Sequence, residues 1–421
     1  MRAVTETARR PWTPWRTVVA FGLVSLFADM VYEGMRSVAG PFLGTLGASA
    51  LTVGLVTGAG EAVALVLRLV TGPWADHSGR HWRLTVVGYA MTAVCVPLLA
   101  VAPALGAAGV AVAAALILLE RAGKAVRSPA KSALLARMAA STGRGRGFAV
   151  HKAMDQVGAF AGPLLLAGVA AATGVLWPGL ALLAVPGAIC LLLLLQLRRR
   201  VPAVADPDPD DAAERPAPDL AGEGRDGLVR RMVGADLPRE LHLFSLAAAL
   251  ATAGLMTFGV MSYRFVEDGL VALAAVPLVY AAAMAVEAVA ALATGDLFDR
   301  HGGRVLLVVP LVVAAVPPLV FGPTLLAVLA GVVLWGLATG VLDSTVKACV
   351  AELVPSRRRA TAYGVFAAVQ GLGALAGGAL AGALATDHPL LLTGCVAVLQ
   401  VLSFGLLARL TLSARRGRPA A

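Results

Sequence analysis

Apolar stretches of about 20 residues recur along the whole 421-residue sequence. A helix of that length crosses the roughly 30 Å hydrocarbon core of a bilayer. Hydrophobic residues make up 58% of the sequence and charged residues only 14%, whereas soluble domains contain about a quarter charged residues. The pattern predicts an all-α integral membrane protein and argues against a soluble one.

The apolar stretches predict twelve membrane spans, which we number in chain order. A short apolar core with a cleavage site is absent near the N-terminus, so we interpret the first stretch as a retained helix. The predicted spans cover residues 15–42, 51–74, 82–104, 110–135, 148–172, 177–197, 241–261, 272–297, 305–321, 325–350, 362–385 and 389–407.

Basic residues are distributed unevenly between the two sides of the predicted membrane protein. The short connections on one side contain no Lys or Arg, with Arg264 near the end of span seven as the exception, and arginine groups collect on the other side. The positive-inside rule then places both termini in the cytoplasm, in a multi-pass protein of the cell membrane. Because the bases flank apolar segments, we attribute the net charge of +10 to topology and expect no nucleic-acid partner.

One polar segment, residues 201–240, divides the chain into two sets of six spans. It contains Asp-Pro-Asp-Pro-Asp-Asp and further prolines, so it cannot bury enough apolar surface to fold alone. We interpret it as a flexible cytoplasmic linker between an N-terminal half (15–200) and a C-terminal half (241–411). Residues 1–14 and 412–421 are the predicted cytoplasmic ends.

The two halves carry matching residues, which indicates a duplication. One set recurs at an offset of 223 residues and begins in the last residues of the second span of each half: Gly72, Asp76 and Gly79 match Gly295, Asp299 and Gly302. A second set recurs at an offset of 215 residues: Ser141, Gly158 and Gly162 match Ser356, Gly373 and Gly377. A shorter region around the third and fourth spans of the second half explains the change of offset.

These features resemble the major facilitator superfamily, whose segment after span two reads Gly-x-Leu-Ala-Asp-Arg-x-Gly-Arg-Arg. Span four resembles a poorly characterised bacterial subgroup with an Arg-x-Gly-Lys-x-x-Arg-x-Pro run, here Arg121 to Pro129. The resemblance covers essentially the whole chain and implies the major-facilitator fold of two six-helix halves. The first segment keeps Gly72, Ala75, Asp76, Gly79 and Arg80, and the second keeps Gly295, Leu297, Asp299, Arg300, Gly302 and Arg304.

We interpret the repeated segment as a polar hairpin that latches one conformation. Its glycines permit close approach of helices and a tight turn. Asp76 can accept hydrogen bonds from a helix N-terminus or from an arginine, and such contacts break and re-form as two halves rock. The alternative is that Asp76 only caps the helix of span three.

Charged residues inside the spans mark the candidate site, because a charge facing lipid costs about 3 kcal/mol or more. The resemblance implies that spans one, four, seven and ten line a central cavity, and Arg121 matches the arginine of the family's span-four pattern. Lys124 and Arg127 depart from that pattern and make the pocket more cationic. The candidate substrate and proton-coupling residues are Asp29, Tyr32, Glu33, Arg36, Glu61, Arg121, Lys124, Arg127, Asp155 and Glu287.

Several of these charges also have a purely structural interpretation. Asp343 and Lys347 are spaced for an ion pair within one helix, and Arg68 is expected to extend to the membrane surface. Glu287 is equally compatible with a protonated structural acid. For Lys124, Arg127 and Asp155 the structural and functional readings stay open.

Gly158, Gly162 and Pro163 in span five resemble part of a Gly-x-x-x-Gly-Pro pattern that accompanies exporters working by antiport. The alternative is close helix packing with a proline kink. The four cysteines, Cys95, Cys190, Cys349 and Cys395, form no Cys-x-x-Cys pair and are interpreted as packing residues.

The resulting hypothesis is a monomeric, proton-coupled secondary transporter of a small anionic or zwitterionic molecule, more readily an exporter than an importer. The chain is not expected to be an enzyme or to use a cofactor or metal, since phosphate-loop, His-Glu-x-x-His and Gly-x-Ser-x-Gly motifs are missing. The alternatives are an uptake symporter for an anionic nutrient, a metal-ion exporter, and a non-transporting membrane sensor or scaffold.

Overall fold

The computed structural model describes residues 12–139, 144–201, 236–355 and 358–416, in which helices and short connections occur without any strand. Ten helical stretches in these residues are long and apolar enough to cross a membrane. Two of them, His81–Met138 and Leu273–Val320, contain 58 and 48 residues, far more than the roughly 20 that one crossing needs. Each contains a 3-10 segment between two spans, so the fold agrees with the prediction of twelve.

Most predicted segments outside the spans are not covered: residues 1–11, 202–235 and 417–421 lie outside the described residues. The helices of the N-terminal half are Pro14–Thr45, Ala50–Val66 continued by Arg68–Ser78, His81–Leu98, Gly109–Met138, Arg144–Thr173, and Trp177–Leu182 continued by Ala184–Arg200. Those of the C-terminal half are Arg239–Leu255 continued by Phe258–Glu267, Val276–His301, Val308–Val320, Leu325–Leu353, Arg359–Leu384 and Pro389–Arg416.

Twelve crossings return the chain to the side on which it began. We call the side near Pro14 and Arg416 the terminal side, and the side near Thr45 and Ser49 the loop side. On the loop side, the N-termini of spans two and ten are capped by side chains. Ser49 Oγ accepts a hydrogen bond from the Thr52 amide at 3.2 Å, and Thr324 Oγ1 accepts one from the Ala327 amide at 3.3 Å. Such caps satisfy amides that have no partner inside the helix.

The repeated hairpin, predicted over residues 72–84 and 295–306, is shorter in the structure. Residues from Gly72 to Ser78 continue the helix of span two, and the chain turns only at Gly79, where φ is 62°. In the second copy the helix runs to His301 and the turn comes at Gly302, where φ is 60°. Both turns need this left-handed backbone, which glycine adopts without steric cost.

Close approach of helices does not explain the first glycine of each copy. A Cβ atom added at Gly72 or Gly295 would meet nothing within 4 Å among the described atoms. That part of the hairpin interpretation is therefore wrong. The tight-turn part is supported at Gly79 and Gly302.

Corresponding helices of the two halves pack in the same way. Gly158 of span five lies against the backbone of Leu26 in span one, and Gly373 of span eleven lies against Ala249 in span seven. One turn further, Gly162 lies against Met30 and Gly377 against Ala253. These contacts are related by the same 223- and 215-residue offsets that the sequence shows. The duplication therefore extends to the packing of equivalent helices.

The two halves come closest on the loop side. There Gly40 of span one lies against Gly259 of span seven, and Gly54 of span two lies against Gly378 of span eleven. Large apolar side chains such as Leu390 (88% exposed), Leu326 (79%) and Leu292 (78%) cover the outside. An apolar exterior of this kind suits a lipid environment.

Candidate substrate and ion site

Span one presents a polar face to the interior of the protein. Asp29, Tyr32, Glu33 and Arg36 fall on that face because they are spaced by three or four residues in one helix. Tyr32 is buried, with 1% of its surface exposed, while the three charged residues are partly buried. This face contacts charged side chains of spans two and four.

Glu61 of span two joins two arginines from different helices. Its Oε1 atom lies 3.1 Å from Arg36 Nη2 and 3.5 Å from Arg121 Nη2. Arg36 also reaches Glu33, with 3.8 Å between Nη1 and Oε2. The geometry agrees with the predicted pairing for Glu33 and Glu61, whereas Asp29 makes no ion pair with Arg36 or Arg121 among the described side chains.

Tyr32 contacts both cations of the predicted span-four pair. Its hydroxyl accepts hydrogen bonds from Lys124 Nζ at 2.6 Å and from Arg121 Nη1. The ring face lies 3.8 Å from Lys124 Nζ and 4.6 Å from the Arg121 guanidinium carbon, within the range of cation–π attraction. We call the set Tyr32, Glu33, Arg36, Glu61, Arg121 and Lys124 the central network.

Glu120 extends this arrangement into the protein interior and was not among the predicted site residues. Its side chain is fully buried and accepts a hydrogen bond from Thr92 Oγ1 at 3.0 Å. Arg127 Nη1 lies 3.8 Å from Glu120 Oε1, and Arg121 Nε lies 3.7 Å from Oε2. The sequence did contain a signal for this site, because Glu120 precedes Arg121 by one residue and Arg127 by seven residues in an apolar helix.

Asp155 belongs to a separate group, which we call the terminal-side cluster: Ser25, Lys131, His151 and Asp155. Asp155 Oδ1 lies 3.2 Å from His151 Nδ1 and 3.7 Å from Lys131 Nζ. Lys131 also donates to Ser25 Oγ at 2.6 Å. Asp29 lies within electrostatic range of both Asp155 and Glu33 and so stands between the two groups.

The C-terminal half contributes an aromatic wall and one direct contact. The Tyr280 hydroxyl, which the sequence did not single out, donates to Glu33 Oε2 at 2.5 Å. Phe258 packs on Tyr280 with ring centroids 4.7 Å apart and on Trp335 at 5.9 Å. Glu287 is partly buried and lies within electrostatic range of Glu33, Arg36 and Asp343, but among the described side chains it makes no hydrogen bond or ion pair.

Span seven is broken beside this wall, between the helix that ends at Leu255 and the helix that begins at Phe258. In this break Met256 has a φ of 62° and is the single described non-glycine residue with a positive φ. The 223-residue offset pairs Met256 with Glu33. An unfavourable backbone conformation at this depth is the kind of feature that collects at functional sites.

The other predicted residues lie away from the central network. Asp299, Arg300 and Arg304 are exposed on the terminal side, as is Arg80, and the Asp76 and Lys347 side chains lie outside the described part of the structure. Gly158, Gly162 and the buried Pro163 serve the contact between spans one and five. Arg68 does not extend fully to the surface as expected: its side chain is partly buried and its Nε atom is buried.

The arrangement balances charge across several helices. Three carboxylates, Glu33, Glu61 and Glu120, contact three guanidinium groups, those of Arg36, Arg121 and Arg127. Protonation of a carboxylate removes its attraction for a guanidinium. The network can therefore link uptake of a proton to the relative positions of spans one, two and four.

Comparisons with known proteins agree with this fold. Residues 21–270 and 244–420 match the Major Facilitator Superfamily. An uncharacterised protein of Mycobacterium tuberculosis is 48% identical over 377 residues, which cover 89% of this chain and 88% of that protein. An uncharacterised MFS-type transporter of Methanocaldococcus jannaschii is 26% identical over 383 residues, with 88% of each chain covered.

Solved structures show the same architecture at low sequence identity. A point mutant of the nucleoside transporter NupG superposes with a TM-score of 0.73 at 14% identity, covering 94% of this chain and 99% of that one. A POT family transporter in complex with 5-aminolevulinic acid superposes with a TM-score of 0.70 at 13% identity, covering 97% of each. Identities this low establish the fold alone. The chain belongs to the major facilitator superfamily and is a multi-pass membrane transporter of that type.

Proposed function

We propose that this transporter is a proton-coupled secondary carrier of a small anionic or zwitterionic molecule, working by alternating access. The observation that carries the proposal is the ion-paired network of Glu33, Arg36, Glu61 and Arg121, which Tyr280 joins to the other half. Protonation of an acid would weaken its pairing with Arg36 or Arg121 and bias one conformation. The central network contains three cations, Arg36, Arg121 and Lys124, but only two carboxylates, Glu33 and Glu61. This excess of positive charge favours a substrate with a negative group.

Identification of a substrate comes first. Thermal unfolding of the purified protein against a compound panel finds ligands that bind the folded state, because such ligands raise the melting temperature. Flux of that ligand is then measured in proteoliposomes with and without a pH gradient. The acid variants Asp29→Asn, Glu33→Gln and Glu61→Gln are compared one at a time with Glu352→Gln, which changes an exposed acid of span ten.

At least one of the three acid variants should lose gradient-driven flux while it retains substrate exchange, and Glu352→Gln should behave like the parent. Full gradient-driven flux in all three would rule out proton coupling through these acids. Asp155 and Glu287 would then be the acids to change.

We further propose export by antiport, from the resemblance of Gly158, Gly162 and Pro163 to the exporter pattern. In everted membrane vesicles with an acidic lumen, the outward flow of protons should then drive substrate into the vesicle lumen. Accumulation only in right-side-out vesicles would favour the alternative, an uptake symporter for an anionic nutrient.

The hairpin latch is a proposal for the terminal side, where Asp299, Arg300 and Arg304 are exposed. Asp76→Asn should slow transport while the protein remains folded in the membrane. Transport equal to that of the parent would leave Asp76 with the capping role alone.

The sidedness of the membrane protein is proposed from the arginine distribution, with both termini in the cytoplasm. Cysteines placed at Ser49 and Glu223 in a cysteine-free background should react with impermeant reagents from opposite sides. Reaction of both from one side would contradict this topology.

A further inference from the structure

The cations of the N-terminal half are not equally neutralised. Arg36, Arg121 and Arg127 each lie within 4 Å of a carboxylate, and so does Lys131. Lys124 differs, since among the described side chains no carboxylate lies within that distance. Among the described residues, its ammonium group donates a hydrogen bond to the Tyr32 hydroxyl and lies over the Tyr32 ring.

Arg68 is a second cation of this kind. Its Nε atom is buried and has no hydrogen-bond partner among the described residues, and its guanidinium makes no ion pair with a described carboxylate. It lies within electrostatic range of Tyr32 and Glu61, and of Asp343 in the other half.

Spans two and four hold these two cations around the same tyrosine, since Lys124 contacts Tyr32 and Arg68 lies within electrostatic range of it. One turn after Arg68, the Thr71 hydroxyl donates to the Ala125 carbonyl at 2.9 Å, and Ala125 directly follows Lys124. Glu61 lies within electrostatic range of both Lys124 and Arg68 but forms an ion pair with neither. The two unmatched cations therefore lie on adjacent helices at the terminal-side edge of the central network.

Unmatched cations are unfavourable in a medium of low dielectric constant. A tyrosine hydroxyl and ring compensate the Lys124 charge only in part. An arriving oxyanion would gain charge-assisted hydrogen bonds at Lys124, two of whose three donors remain free of Tyr32. At Arg36 or Arg121 it would have to compete with a carboxylate already in place.

We propose that Lys124 and Arg68, together with the Tyr32 hydroxyl, form the subsite that binds the anionic group of the transported molecule, a carboxylate or a phosphate. The inference rests on the proposed function and assigns its anion preference to particular residues. It separates two tasks, since Lys124 and Arg68 bind the solute while Glu33, Glu61, Arg36 and Arg121 respond to protons.

The test uses inorganic phosphate and succinate as probes on the full-length protein in a neutral detergent. Thermal unfolding is followed as each anion is titrated at constant ionic strength with choline chloride. At least one anion should raise the parent's melting temperature saturably. Lys124→Gln and Arg68→Gln should each weaken that anion's apparent affinity about 10- to 100-fold, the factor expected for losing one charge-assisted hydrogen bond.

Two variants serve as controls. Arg83→Gln removes an exposed arginine of span three and should leave the affinity unchanged. Glu33→Gln removes an acid of the central network and should retain the anion response even where it abolishes proton-driven flux. Loss of coupling and loss of anion binding are thereby distinguished.

A second measurement covers the case in which Lys124→Gln does not fold. In the parent, the rate of acetylation of Lys124 is followed by mass spectrometry with and without phosphate or succinate, and the exposed Lys152 is the internal reference. The bound anion should slow modification of Lys124 relative to Lys152. The proposal is overturned by an unchanged rate at Lys124, by equal affinities in the parent and Lys124→Gln, or by the absence of a saturable rise in the parent with both anions.

Discussion

The two halves share a backbone arrangement but differ in what fills their interiors. At positions related by the 223-residue offset, Glu33 of the N-terminal half corresponds to Met256, and Glu61 corresponds to Met284. The 215-residue offset that relates spans five and eleven also relates the ends of spans four and ten, and it pairs Glu120 with Trp335. Residues that form ion pairs in the N-terminal half thus correspond to methionine and aromatic residues at the equivalent positions of the C-terminal half.

The comparison separates packing from chemistry. The glycine contacts at Gly158 and Gly373 are alike because both let helices touch at the backbone. The charged residues have no such counterpart, since a charge in the interior is costly unless it is paired. The N-terminal half therefore carries most of the interior groups that can change their charge. The C-terminal half offers a mostly apolar, aromatic surface, with Glu287 as the exception.

The largest expected effect comes from the charge that is buried most deeply. Glu120→Gln keeps the side-chain volume but leaves Arg121 and Arg127 with one partner fewer, which should cost about 3–5 kcal/mol of stability. At the matched position Trp335→Phe removes volume and no charge, and should cost about 1–2 kcal/mol. Thermal unfolding of both variants in one detergent measures the difference. Equal losses would contradict the contrast between the halves.

The contact between the halves should give the next largest effect. Tyr280→Phe removes the donor to Glu33 and should cost about 1.5–3 kcal/mol, the range for hydrogen bonds to charged groups. The control is Tyr89→Phe, because Tyr89 is buried and its hydroxyl has no hydrogen-bond partner among the described residues. That variant should change the melting temperature little. A loss as large as that of Tyr280→Phe would show that the Glu33 contact contributes nothing specific.

The shared packing predicts equal effects in the two halves. Gly158→Ala and Gly373→Ala each place a methyl group against a backbone carbonyl, at Leu26 and Ala249 respectively, and should each cost about 1–3 kcal/mol. Gly168→Ala and Gly394→Ala are the matched controls, since an added Cβ meets nothing within 4 Å at either site. A loss confined to one half would mean that the duplicated contact is no longer equivalent.

The smallest effect is expected for a single neutral hydrogen bond between the halves. The Thr57 and Thr257 hydroxyl oxygens are 2.7 Å apart. A double-mutant cycle of Thr57→Val and Thr257→Val should give a coupling energy of about 0.5–1.5 kcal/mol. Strict additivity of the two single losses would show that this bond does not hold the halves together in solution.

Several features of the site were accessible from spacing within one helix. Asp29, Glu33 and Arg36 were placed on one face of span one, and Arg121 and Lys124 on span four, because a helix brings residues three and four apart together. The partners that come from other helices were only partly foreseen. Tyr280 and Thr92 each lie in apolar stretches, and nothing in their neighbourhood along the chain marks them as contacts of Glu33 and Glu120.

The hairpin shows the same limit. The repeated Gly-Asp-Gly spacing marked a turn in each half, and the left-handed backbone at Gly79 and Gly302 agrees with it. The sequence could not show where the preceding helix ends, since the polar hairpin was predicted to begin at Gly72. Pro73 instead lies within the first turns of the helix that begins at Arg68.

The sequence by itself determined the helical membrane fold, the two halves and the family, because apolar length, charge exclusion and repeated motifs are properties of the chain read in order. The tertiary structure decided which charges meet. In the structure Glu61 forms ion pairs with Arg36 and Arg121, and Asp155 lies against Lys131 and His151. Lys124 has no described carboxylate partner. Ion pairing depends on distances of a few ångströms between atoms on different helices, and helix packing alone sets those distances.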